Sequence, residues 1–142
     1  MSRRSAVLLI ILAMLASCRT RPTRSSREIV VWRNLGSWSA RGSSQTEAFT
    51  SDTGMLRVRW EARNEDAHGP DGRTGTLRVT VHSAVSGRPL VAAVNHAGAG
   101  QDTVYVNEDP REFYLVVDSQ HLEWKVAVDE GIPATMAEPE RR

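Results

Sequence analysis

Residues 56–63 alternate without a break. Leu56, Val58, Trp60 and Ala62 are apolar, and Arg57, Arg59, Glu61 and Arg63 between them are charged. A period of two gathers all four apolar groups on one side of an extended chain, so the segment is predicted to be a strand with one dry face and one wet face. The pattern returns in Leu77, Val79 and Val81 set against Arg78, Thr80 and His82. It returns again in Leu122, Trp124, Val126 and Val128 set against Glu123, Lys125 and Asp129. Strands that are wet on one face belong to antiparallel sheets, because parallel sheets bury both.

Shorter segments fit the same plan: residues 28–33, 37–41, 45–50, 90–95, 103–107 and 112–118 are rich in β-branched or aromatic residues and bounded by turn formers. Gly42, the Pro70-Asp71-Gly72 and Ser86-Gly87 steps, Gly98, Gly100 and residues 107–110 supply the punctuation. No interval carries ten residues of helical periodicity. The expected fold is all-β: a single antiparallel β-sandwich, jelly-roll-like, of about eight to nine strands, since two sheets must cover each other's apolar faces. Closure into a barrel is the structural alternative. The order SARGSSQTEAF (39–49), LRVRW (56–60) and then Phe113 to Trp124 resembles small bacterial exported sandwich domains of the CUB-like or pre-peptidase C-terminal kind. That likeness implies the sandwich and transfers no functional residue.

The N-terminus has a different character. Arg3 and Arg4 precede an apolar run, AVLLIILAMLA (6–16), and the single cysteine, Cys18, follows two small residues. Eleven apolar residues in a helix span only about 16 Å, roughly half the hydrocarbon core, so the run is read as a signal peptide. Leu15, Ala16, Ser17 and Cys18 resemble the lipobox of bacterial lipoprotein precursors. The resemblance implies cleavage between Ser17 and Cys18 and lipid, palmitate included, on Cys18. Arg19, where an Asp would favour inner-membrane retention in enteric-type sorting, points to the outer membrane if the host has one, and otherwise to the cell membrane. The twin Arg3-Arg4 leaves a twin-arginine export route open, and either route exports the domain. The expected organisation is a signal peptide over 1–17, a lipidated cysteine and flexible basic linker over 18–28, the sandwich over 29–130, and a disordered tail over 131–142, where Pro133 and Pro139 sit among charges.

Cleavage removes Arg3 and Arg4, leaving 16 basic residues against 17 acidic ones, so no basic field remains to suggest nucleic acid. Catalytic groupings are equally scarce. His68, His82, His96 and His121 are scattered without a carboxylate at metal-site spacing, and no G-x-S-x-G elbow is present. Lipid on Cys18 leaves no thiol nucleophile. Neither cofactor nor metal is expected. The oxygen-rich loop NEDAHGPDG (64–72) is the best cation candidate, but it reads first as a solvated hairpin turn.

Two surface features are candidates for binding. Arg57, Arg59 and Arg63 share the wet face of one strand. If Arg78 and His82 lie on a paired strand, the five form a basic patch suited to acidic glycans or phosphates, unless Glu61, Glu123 and Asp129 neutralise it across strands. Trp32, Trp38, Tyr105 and Tyr114 would supply a sugar-stacking surface if exposed, and core packing otherwise. The expected function is therefore that of a membrane-anchored extracytoplasmic lipoprotein, whose sandwich is a non-enzymatic module binding an envelope protein or glycan. The alternatives are a structural subunit of an envelope assembly and a hydrolase with a site assembled from dispersed residues.

Overall fold

The computed structural model describes residues 26–63 and 74–137; residues 1–25, with the expected signal peptide, Cys18 and most of the expected linker, and residues 64–73 and 138–142 lie outside them. Nine strands run in chain order: β1 (Ser26–Arg41), β2 (Ser44–Gln45), β3 (Phe49–Ser51), β4 (Met55–Arg63), β5 (Thr76–Ser83), β6 (Pro89–Ala97), β7 (Gly100–Asn107), β8 (Arg111–Gln120) and β9 (Glu123–Ala137). The compact unit they build covers residues 28–134. β4 pairs antiparallel with β7 and β9, β5 with β6 and β8, and β8 also with β2 and β3.

The strands form two sheets, ordered β1-β9-β4-β7 and β2-β8-β5-β6, with β3 also pairing β8. The pairings nest: β5 with β6, β4 with β7, β2 and β3 with β8, and β1 with β9. The chain is thus one long hairpin folded at the β5–β6 turn and rolled until β4 meets β9 and β5 meets β8, which is the jelly-roll path. Each successive step of the hairpin falls in the other sheet, so residues of both sheets converge on a single core.

Alternation decides what fills it. Leu56, Val58, Trp60 and Ala62 of β4 and Trp124, Val126 and Val128 of β9 face Leu77, Val79 and Val81 of β5 and Phe113, Leu115 and Val117 of β8. Trp124 satisfies its buried ring N–H by donating to the Gly42 carbonyl at 2.7 Å.

Three elements differ from expectation. The two segments expected at 28–33 and 37–41 are one strand, β1, and at its middle the Trp38 ring lies over Gly36, where a side chain would collide with it. The segment expected at 45–50 is divided into β2 and β3. Thr46 at the break still holds β8, its N–H donating to the Leu115 carbonyl and its Oγ1 accepting from the Leu115 N–H, both at 3.0 Å. Residues 131–137, expected as tail, continue β9. The register with β4 ends at Leu56↔Glu130, leaving β1 as the sheet neighbour beyond it, and a strand paired on one side tolerates Pro133.

Candidate binding face

On the outer surface of the first sheet, register stacks side chains in cross-strand rows. Asp129, Arg57 and Tyr105 form one row; Ala127, Arg59 and Thr103 the next; Lys125, Glu61 and Gln101 the third. Asp129 is only 3% exposed although it points away from the core. Arg57 Nε and Arg59 Nε donate to its Oδ2 at 3.0 and 2.8 Å, while Arg59 Nη2 and Asn34 Nδ2 donate to Oδ1 at 3.1 and 3.0 Å. Burial pushes the Asp129 carboxyl up, but the hydrogen bonds from Arg59, Asn34 and Arg57 outweigh it and hold the group below its ordinary value. The bidentate bond fixes the Arg59 guanidinium in one orientation.

Ala127 makes the face concave. Its short side chain sits between Asp129 and Lys125 along β9, and longer side chains rise around it. The resulting open groove of ≈ 490 Å³ is lined by Arg59, Trp60, Glu61, Gln101, Asp102, Thr103, Lys125 and Ala127. Cations, carboxylates, an amide and a hydroxyl line it together, so it can both donate and accept hydrogen bonds and has no dominant charge.

One end of the same face is aromatic. Trp32 of β1 and Tyr105 of β7 lie with ring centroids 5.7 Å apart, and the Arg57 guanidinium carbon stands 4.4 Å from the Trp32 ring centroid. Of the four aromatic candidates, these two meet. Trp38 packs on Phe49 at the core, and Tyr114 pairs with His82 on the other sheet.

The five-residue basic patch is not assembled. Arg57, Arg59 and Arg63 lie on β4, which pairs β7 and β9, whereas Arg78 and His82 lie on β5, which pairs β6 and β8 in the second sheet. β4 and β5 lie in different sheets and do not pair with each other, and loop 64–72, the cation candidate, lies outside the described residues. Neutralisation operates instead: across strands Asp129 takes Arg57 and Arg59, and within β4 Glu61 approaches Arg63 at 3.6 Å.

The described histidines are separate from one another. His82 Nδ1 lies 3.3 Å from the Tyr114 hydroxyl and 3.2 Å from the Gly87 carbonyl. His96 Nε2 lies 3.3 Å from the Ala99 carbonyl, its ring against Trp60. His121 holds a left-handed turn at φ 55°; His68 is outside the described residues. Among those residues no group of three or more His, Cys, Asp or Glu is arranged to hold a metal.

Glu130 is the side chain that sequence reasoning missed. It is fully buried, and Oε1 accepts from Ser51 Oγ at 2.8 Å and from the backbone N–H groups of Asp52 and Thr53 at 2.6 and 2.9 Å, while Oε2 accepts from Arg33. The signal was in the alternation: Trp124, Val126 and Val128 place position 130 inward, where a charge needs partners. No protein-family model matches the chain, and no curated protein shows significant sequence similarity to it.

Proposed function

We propose that the protein is a lipid-anchored, extracytoplasmic, non-enzymatic binding module of the cell envelope, and that it holds a glycan or surface protein in the groove of the first sheet. The observation that carries this reading is the Arg59 guanidinium, held bidentately by buried Asp129 at the edge of an open polar groove. A donor fixed before the ligand arrives loses little freedom on binding, which is what a recognition surface needs. The lipobox-like residues 15–18 supply the address: lipid on Cys18 holds the domain at the outer membrane of a diderm host or at the cell membrane otherwise. The non-enzymatic part draws support from His82 and His96, each with one ring nitrogen engaged: His82 Nδ1 by a turn carbonyl and a tyrosine hydroxyl, His96 Nε2 by a turn carbonyl.

The test is a crosslinking pull-down of the mature lipoprotein from its own envelope. Wild type and Arg78→Ala should recover the same glycan or protein, and Arg59→Ala should lose it. Recovery of nothing, or equal recovery by all three, would overturn the reading. A second reading, a structural subunit of an envelope assembly, is favoured by β1, a 16-residue strand at the edge of its sheet. Its signature is one protein recovered at fixed stoichiometry and insensitive to Arg59→Ala.

A further inference from the structure

We infer that the end of the first sheet built from Val30, Trp32, Met55 and Tyr105 seats in the headgroup layer of the membrane that holds the lipid anchor. This rests on the lipid-anchor reading above and adds a second, non-covalent contact to it.

Composition on the outer face changes along the strands. The groove rows around Arg59 and Glu61 are polar, whereas Val30 and Tyr105 are 42% and 63% exposed at the other end. Gly131 explains why the apolar surface is continuous there. A Cβ on Gly131 would lie 2.5 Å from Met55 Sδ and 3.1 Å from Val30 Cγ1, so β9 contributes no side chain and β1 and β4 meet across it. Trp32 extends the surface to Tyr105, and Arg57 rests on the Trp32 ring. Met55 and Glu61 are six residues apart on β4, about 20 Å of strand, so this end and the groove centre are distinct sites.

The occupant is indicated by what lies before β1. Seven residues, 19–25, join Cys18 to Ser26, and extended chain of that length reaches at most about 28 Å. A domain held that close meets the bilayer at high effective concentration, so a modest apolar surface is enough to keep it docked. Its chemistry suits the interface rather than the hydrocarbon interior: a tryptophan and a tyrosine with polar ring edges, aliphatic side chains beside them, and an arginine. Arg19, Arg21 and Arg24 precede the strand, Arg27 lies at its start, and all four are complementary to anionic headgroups.

The lipidated, full-length mature protein is reconstituted into vesicles of phosphatidylethanolamine and phosphatidylglycerol carrying lipids brominated near the headgroup, and its tryptophan emission is read. Trp60 and Trp124 are buried and Trp38 packs against the core, so Trp32 is the reporter. The expected result is a blue-shifted emission quenched by the brominated lipid. That quenching should be lost in Trp32→Phe and, with all four tryptophans retained, in Val30→Asp. Unquenched emission from protein whose Cys18 lipid is verified by mass spectrometry would overturn the docking and leave the anchor standing. A mature chain without lipid on Cys18 would overturn both. Self-crosslinking through this face with unquenched emission would assign it to a second copy and overturn the membrane contact.

Discussion

Burying Glu130 obliges the fold to supply hydrogen bonds for an entire carboxylate, and it does so from Ser51, Asp52, Thr53 and Arg33. Burial by itself would push the carboxyl up, but the bonds from Ser51, Thr53, Arg33 and Asp52 prevail and bring it from 4.5 to about 2. The folded protein therefore releases this proton more readily than the unfolded chain. The stabilisation is complete above the unfolded value and is lost as pH falls through the folded one. Urea midpoints should be flat above the ordinary carboxylate range and fall steadily from about pH 4.5 to pH 2. Glu130→Gln should flatten that fall without abolishing it, because Asp129 is also held below its ordinary value. Glu130→Ala leaves the Asp52 and Thr53 N–H groups without their acceptor, while the half-exposed Arg33 turns to water, and should cost about 1–3 kcal/mol at neutral pH. An unchanged midpoint in Glu130→Ala would show that the network contributes nothing net. The inward position of residue 130 was legible from the alternation. Its partners were not, because Ser51 and Arg33 are 79 and 97 residues away along the chain.

Two turn glycines separate backbone strain from steric exclusion. Both Gly42 and Gly54 have positive φ, at 80° and 71°, where a side chain costs about 1–2 kcal/mol. Nothing lies within 4 Å of a Cβ on Gly42, whereas one on Gly54 would run into the Glu108 carbonyl oxygen. That carbonyl cannot move cheaply, since the Glu108 N–H donates to the Gly54 carbonyl at 3.0 Å and joins the β3–β4 turn to the β7–β8 turn. Gly42→Ala should lower stability by about 1–2 kcal/mol and Gly54→Ala by about 3 kcal/mol, read from chemical denaturation. Equal losses would mean that the Gly54 contact relaxes. At this scale the sequence was most informative where one face is wet: β4 and β5 appear within a residue or two of their expected limits. It was least informative where a local breaker competes with pairing. Gly131 and Pro133 read as an end to the domain, yet β1 beside them carries β9 onward to Ala137.

Period two reveals which side chains face inward, but not which strand lies beside which. The basic patch failed for that reason: Arg57 and Arg78 each sit on a wet face, and the roll puts those faces in different sheets. The same roll has a kinetic consequence. The innermost pair, β5 with β6, joins neighbours in sequence, while β1 with β9 closes nearly the whole domain, so most native pairing follows costly loop closure. Refolding followed by tryptophan emission should take milliseconds to seconds, and a microsecond phase carrying the full amplitude would contradict the nested order. None of this pairing involves a disulfide, because Cys18 is the chain's only cysteine. Cys18→Ala therefore separates address from fold. The variant should keep the wild-type urea midpoint, escape lipoprotein cleavage after Ser17, and lose the acyl mass. On the proposed anchor, a soluble form beginning at residue 19 should then move from the detergent phase to the aqueous phase, because two or three acyl chains would supply nearly all of the partitioning and the exposed Val30 and Tyr105 far less. Detergent partitioning and processing unchanged by Cys18→Ala would place the attachment elsewhere and remove the lipid anchor from the proposed function.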